Sequence, residues 1–254
     1  MEEAMQTEID QLHAHETFIV LEEHEKIPFG YKIIPYHFIY DAKFDGRCKC
    51  RLVAGGHMTD PPNEDIFSGV VSMETVRICF AIAKLLGLEI CAGDIGNAYL
   101  YGKTKEKVYI IAGPEFGALL LGKILLIDKA LYGLKSSSAR FHEHLSATLL
   151  KMGYKPSKAD YDLWMKPVAG HYEYIARYVD DVIVFSKDTM LVIQELKKTY
   201  IMKGVGKSQY YLGGYVVGLG PEQEKEGISE SISAKTYIQN AIPKLARSCG
   251  LVEF

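Results

Sequence analysis

Met5, Ile9 and Leu12 recur at helical spacing, which predicts a short amphipathic helix near residues 3–14. The run from Tyr31 to Tyr40 is rich in β-branched and aromatic residues, and a second such run, Cys48 to Val53, follows Asp45-Gly46. The two predict a β-hairpin with a long turn, with Pro35 at an edge or a bulge. Two prolines make Thr59 to Asn63 a loop. Ser72 is placed to cap a helix whose apolar positions are Val76, Phe80, Ala83 and Leu86, and which closes near Gly87. Leu88 to Ile95 reads as a mostly buried strand running into the tight segment Gly96-Asn97-Ala98-Tyr99. Val108 to Ile111 and Lys123 to Asp128 predict short strands around a Gly/Pro loop.

In the second half, Ser136-Ser137-Ser138 precedes a helix with Phe141, Leu145, Leu149 and Met152 on one face, ended by Gly153. Tyr172 to Tyr178 and Val182 to Phe185 are β-rich runs around Asp180-Asp181. Asp188 can cap a third helix, Leu191 to Tyr200. Tyr210 to Val217 is a further strand, Gly220 to Glu226 a polar loop, and Thr236 to Leu245 a short helix weakened by Pro243. Helices and strands mix without strict βαβ alternation and without repeats, so the fold class is α+β.

Composition narrows the picture by exclusion. The 254 residues are 48% hydrophobic and 24% charged, which excludes wholesale disorder. No apolar run is long enough for a membrane span, and the acidic start Met1-Glu2-Glu3-Ala4 is not a signal peptide, so an intracellular location, cytoplasmic or nuclear, is expected. Five cysteines with no framework spacing fit a reducing compartment. A net charge of −3 argues against a simple basic nucleic-acid coat. Cys48-x-Cys50 with His57 lacks a fourth ligand and matches no common zinc spacing, so these cysteines are read as incidental. His142 and His144 lie two apart on a helix, do not share a face, and are read as surface residues; Trp164 is read as core.

The candidate chemistry lies in Tyr178-Val179-Asp180-Asp181. Two adjacent carboxylates between apolar runs are costly unless a cation neutralises them. A type I turn, where Asp is common, would explain them without chemistry. Asp94 also ends an apolar strand where a turn begins. Strands placed side by side would bring Asp94 against Asp180 and Asp181, an oxygen-ligand set for Mg²⁺. Two such ions, about 3.5–4 Å apart, can stabilise both the attacking and leaving oxygens of a phosphoryl displacement.

Several ordered motifs carry a resemblance. Cys50-Arg51-Leu52-Val53-Ala54 resembles an Ala-Arg-Leu-Val-Ala strand, and Asp94-Ile95-Gly96-Asn97-Ala98-Tyr99-Leu100-Tyr101-Gly102 looks like an Asp-containing palm motif. Leu131-Tyr132-Gly133-Leu134-Lys135, Tyr178-Val179-Asp180-Asp181 and Tyr211-Leu212-Gly213 follow in order. Together they are similar to the reverse transcriptase domain of copia-type LTR retrotransposons, across residues 31–240. The resemblance implies a right-hand polymerase: fingers and palm over 1–205, with an antiparallel palm sheet backed by helices. Over 206–254 it implies a primer-grip hairpin and the start of a thumb or connection segment.

The implied activity is RNA-directed DNA synthesis with two Mg²⁺ ions, a dNTP, and an RNA or DNA template with its primer. Asp94 and Asp180 would bind both ions, Asp181 would complete the cluster, and the Ile95 carbonyl would be a further ligand. Tyr99 would lie under the sugar and exclude a 2′-OH, unless it is simply a core aromatic. Arg51 and Lys49 would clamp the triphosphate, unless they form a solvated strand face. Gly133 and Lys135 would lie near the templating base, Lys203 would donate a proton to pyrophosphate, and Tyr211-Leu212-Gly213 would grip the primer.

The chain departs from the family pattern where Ala54-Gly55-Gly56 replaces a basic residue, at Ser136 to Ser138, and at Phe141. The sequence shows no acidic constellation for RNase H before Phe254 and no integrase or protease region, so a polyprotein fragment is expected. The alternative is a catalytically inactive remnant that at most binds nucleic acid.

Overall fold

The computed structural model describes residues 1–42, 46–61, 66–207, 210–211, 214–218 and 230–233. In chain order it begins with α1 (Glu2–Ala14), β1 (Phe18–Val20), β2 (Lys32–Ile33), β3 (Tyr36–Ala42) and β4 (Cys48–Ala54). Then come α2 (Met73–Leu86), β5 (Glu89–Ile95), β6 (Val108–Ile111), β7 (Ile124–Ile127) and α3 (Ser137–Lys151). The rest is β8 (Lys155–Pro156), β9 (Leu163–Val168), β10 (His171–Tyr178), β11 (Asp181–Ser186), α4 (Thr189–Lys197), β12 (Met202–Lys207), β13 (Tyr210–Tyr211), β14 (Gly214–Gly218) and β15 (Glu230–Ser233). The fold is α+β, as the mixed periodicity predicts.

The chain divides into two compact units. One contains Met1–Gly69 and Asn97–Gly153; the other contains Val70–Gly96 and Tyr154–Phe254. In the first, α1 and β4 join a four-stranded sheet of order β1-β7-β6-β2 in one core. Ile9, Leu12, Leu52, Ile110, Leu125 and Leu131 are buried there. The predicted strand from Tyr31 to Tyr40 is two strands, broken at Ile34-Pro35. Pro35 has no N–H for a ladder, and its carbonyl instead accepts from Gly55 N at 2.8 Å. The short piece, β2, pairs parallel with β6, while β3 and β4 form the expected antiparallel hairpin.

The second unit is built on a six-stranded sheet, order β12-β5-β11-β10-β9-β8, in which each strand runs antiparallel to its neighbours. Helix α2 lies over the row formed by Ile90, Ala92, Ile183 and Phe185 and buries Val76, Cys79 and Ala83 against it. Its ends follow the sequence signals: Ser72 Oγ accepts from Thr75 N at 3.2 Å, and Gly87 closes the helix at φ +63°. Asp188 caps α4 in the same way through Leu191 N at 3.0 Å. At α3 the cap comes from outside the helix. The Glu106 carboxylate accepts from Ser136 N at 3.0 Å and from Ser136 Oγ at 2.7 Å.

Strands β1, β8, β9 and β12 carry no clear sequence signal. β9 contains Lys166-Pro167, and β12 is glycine-containing and bulged between Lys203 and Gly206. The predicted helix at 236–245, the loop at 220–226 and the turn residue Asp45 lie outside the described residues.

Candidate active site

Strand parity builds the acidic site. Ile90, Ala92 and Asp94 alternate on one face of β5, and their cross-strand partners on β11 are Phe185, Ile183 and Asp181. The row is apolar for two pairs, where α2 covers it, and acidic at the third. Asp94 and Asp181 are therefore direct cross-strand partners on one face. On its other side Asp94 pairs in register with Lys203 of β12. Lys203 lies along Gly96, where an added Cβ would come within 3.0 Å of its ammonium nitrogen.

Asp180 is delivered by a turn. Tyr178 and Asp181 are the last β10–β11 pair, leaving Val179-Asp180 as a two-residue loop. Val179 has φ +54° and Asp180 does not share that sign. Positive φ at the first central position alone is the pattern of a type II′ turn, so the type I alternative falls. Primed turns match the twist of paired strands, which type I turns would splay. The Asp180 carbonyl accepts from Ile95 N at 2.8 Å, which ties the turn to β5 and leaves the carboxylate free of that bond.

The three acids act on one another. Asp181 is half-buried, and its carboxyl is pushed up to about 6, first by loss of solvent and then by the charges of Asp180 and Asp94. Among the described residues, no three His, Cys, Asp or Glu side chains converge closely enough to hold a metal ion. The donor chemistry still suits a hard divalent cation, because mutually repelling carboxylates offer only oxygen.

A raised carboxyl has a definite sign in stability. The folded chain keeps the Asp181 proton at pH values where the unfolded chain, near 4, has lost it. Stability from this group is present below about pH 4 and is lost as pH rises through about 6. Allowing for solvent at this half-exposed group, the loss is on the order of 1 kcal/mol. Asp181→Asn should remove it. Urea unfolding at about pH 4 and pH 8 should show a smaller difference in the variant than in the parent chain.

In the other unit, Tyr99 lies in a 3₁₀ turn, Ala98–Tyr101, half-buried. Its ring is 4.9 Å from that of Tyr132 and 6.5 Å from that of Phe141. Arg51 lies over the Tyr132 ring, with Cζ 5.1 Å from the centroid, and its Nε is buried without a hydrogen-bond partner. Lys49 and Arg51 share a face of β4, and Lys49 stands opposite Asp41. Gly133, at φ +91°, packs its α-carbon against the Ala54 carbonyl. Gly56 packs in turn against the Gly133 carbonyl, and Gly55 against Pro35. The glycine pair at 55–56 thus has a packing reason of its own. Lys135 Nζ donates to the Thr59 carbonyl at 2.5 Å. Tyr211 lies in β13, while Leu212 and Gly213 lie outside the described residues.

The sequence profile of the family described as "Reverse transcriptase (RNA-dependent DNA polymerase)" matches residues 17–247. The chain belongs to the reverse transcriptase family. It is related to Ty1/copia-type retrotransposon polyproteins. It is 27% identical over 255 residues to the "Retrovirus-related Pol polyprotein from transposon TNT 1-94" of Nicotiana tabacum, covering 95% of this chain and 18% of that protein. It is 30% identical over 254 residues to the "Transposon Ty1-LR2 Gag-Pol polyprotein" of Saccharomyces cerevisiae, covering 96% of this chain and 14% of that protein. The chain thus spans less than a fifth of the length of these relatives.

In this reverse transcriptase domain, some packing interactions escaped the sequence reading. Tyr132 was legible as part of a motif, but not as the platform for Arg51. His144, read as a surface residue, is half-buried beside the Tyr101 ring at 6.1 Å, and burial lowers its basicity. Arg177 carries a signal that could have been used: a lone cation in the apolar run Tyr174-Ile175-Ala176. No helix among the described residues is long and apolar enough to cross a membrane.

Proposed function

We propose that this chain is an RNA-directed DNA polymerase domain that transfers a nucleotide from a dNTP to a primer 3′-hydroxyl on an RNA or DNA template. The observation that carries the reading is the pairing of Asp94 with Asp181 at the end of an antiparallel sheet, with Asp180 in the adjoining turn. In the right-hand description, residues 1–205 are fingers and palm, and 206–254 are the primer-grip hairpin and the start of a thumb or connection segment.

Asp94 and Asp180, with Asp181 and the Ile95 carbonyl beside them, would hold two Mg²⁺ ions. When bound, these ions lower the pKa of the primer hydroxyl and offset charge on the departing pyrophosphate. The protein groups do the positioning. Tyr99 supports the sugar, Arg51 and Lys49 meet the triphosphate, and Gly133 and Lys135 shape the surface under the templating base. Lys203, which pairs in register with Asp94, would give a proton to pyrophosphate, and Tyr211-Leu212-Gly213 would hold the primer end. Tyr99→Ala should raise ribonucleotide use relative to dNTP by at least about tenfold, because the ring that excludes a 2′-OH is gone. Competing NTP and dNTP incorporation measures this ratio, and an unchanged ratio assigns Tyr99 to the core.

A second reading, a non-catalytic nucleic-acid-binding remnant, is favoured by one observation: the acids do not close into a three-ligand metal site. Primer extension on an RNA template with dNTPs and Mg²⁺, beside an Asp180→Asn control, separates the two. Extension by the parent chain alone supports the polymerase. Template–primer binding without extension supports the remnant.

A further inference from the structure

The strained turn that carries Asp180 needs an anchor on its β10 side. Val179 is β-branched and sits at φ +54°, a conformation that persists only when its surroundings over-determine it. On the β11 side the Asp94–Asp181 pairing and the bond from Ile95 N to the Asp180 carbonyl provide that. On the β10 side the ladder to β9 runs from His171–Val168 to Ala176–Leu163 and stops. Arg177 is the first β10 residue past its end, and it pairs across the hairpin with Val182, one step from the turn.

Arg177 is tied down at this point through both its backbone and its side chain. Its N–H donates to the Asp162 carbonyl at 3.0 Å, and its carbonyl accepts from Val71 N at 2.9 Å. Its guanidinium Nε donates to Asp162 Oδ1 at 2.9 Å, and Nη2 reaches the same oxygen. The Trp164 ring lies 5.8 Å from Cζ. Asp162 is fixed in turn: its N–H donates to Asp160 Oδ1 at 3.0 Å, and Asp160 Oδ2 accepts from Ser72 N at 3.0 Å, at the start of α2. Arg177 is 1% exposed. A buried ion pair is a poor source of stability, because apolar side chains of similar size often serve as well. What it adds is direction, since the planar guanidinium fits one arrangement of its partner.

We propose that the Asp162–Arg177 pair is a positioning element that takes over where the β9–β10 ladder ends and holds the Val179-Asp180 turn in its strained form, so that Asp180 meets the reacting groups. Neither residue touches substrate. The inference rests on the polymerase reading for its consequence, but its structural half can be tested without it.

The test uses the whole chain in three forms: the parent, Arg177→Lys, and a double variant, Asp162→Leu with Arg177→Met. The double variant replaces the pair by apolar side chains and is expected to fold, as circular dichroism and the unfolding midpoint will check. Amide hydrogen exchange without metal is the first readout. Exchange at Ile95, whose N–H is bonded to the Asp180 carbonyl, should rise at least about tenfold in the double variant, while the buried Val184 amide is unchanged. Steady-state dNTP incorporation is the second readout. In the folded double variant kcat should fall about a hundredfold, with KM for dNTP within about twofold, as for a misplaced catalytic group. Arg177→Lys, which keeps the charge and loses the fork, should fall between.

A folded double variant with parental Ile95 exchange overturns the proposal, as does parental kcat in that variant. If the double variant does not fold, Arg177→Lys decides by the same two readouts. If the parent chain incorporates no dNTP, the polymerase reading has failed, and Ile95 exchange alone decides whether the pair holds the turn.

Discussion

Asp180→Asn is expected to lower dNTP incorporation by at least about a thousandfold in a chain that still folds. Removing a single preorganised electrostatic contact commonly costs two to three orders of magnitude, and this carboxylate is proposed to serve two ions at once. The fold should survive because it uses the other half of the residue. The bond that ties the turn to β5 is made by the Asp180 carbonyl, which asparagine keeps. The substitution also removes one of the two charges that push Asp181 up. The Asp181 carboxyl should therefore titrate closer to the ordinary range, and stability at neutral pH should rise slightly rather than fall. Single-turnover primer extension, with an unfolding curve on the same preparation, measures both effects. Incorporation within tenfold of the parent would falsify the assignment of Asp180.

Gly133→Ala is expected to destabilise the unit that contains it by about 3 kcal/mol. A left-handed backbone costs a non-glycine residue roughly 1–2 kcal/mol, and overpacking adds about 1–3 kcal/mol. Both apply at Gly133. Its φ is +91°, and a Cβ would run into the Ala54 carbonyl, with Val53 Cγ1 at 2.9 Å. The neighbours cannot easily give way, because Ala54 N donates to the Tyr132 carbonyl at 2.8 Å and holds the two segments together. Gly170→Ala provides the comparison, since its φ is +83° with nothing within 4 Å of an added Cβ. That variant should cost only about 1 kcal/mol. Thermal unfolding should place Gly133→Ala roughly 6–12 °C below the parent and Gly170→Ala only a few degrees below it. Equal shifts would mean that backbone conformation alone matters at Gly133. The prediction also bears on the proposed triphosphate contact, because displacing Gly133 moves Tyr132, the ring beneath Arg51.

Local signals survived into the fold where one short segment contains both partners of an interaction. Ser72 with Thr75, Asp188 with Leu191, and Gly87 at the end of α2 are capping interactions complete within a few residues. The apolar stripe of α2 and the alternation in β4 and β5 are likewise carried by their own spacing. The motif order led directly to the family. Strands such as β9 and β12 were not legible, because a proline, a bulge and glycines obscure their period and only their neighbours make them strands.

The sequence by itself determined which residues bear the candidate chemistry: Asp94, Asp180 and Asp181, an aromatic at 99, cations at 49 and 51, and the family to which they belong. It also determined the α+β class, because that follows from which period each segment carries. The tertiary structure alone decided that Asp94 stands opposite Asp181 with Lys203 on its other side, because register between distant strands is set by the whole sheet. It alone decided that the Asp180 turn is left-handed at Val179, since the twist of the paired strands selects that turn. It alone brought Asp162 to Arg177 and Gly133 to Ala54. These are contacts between segments, whose partners are chosen by packing and hydrogen-bond satisfaction across the fold rather than by any pattern along the chain.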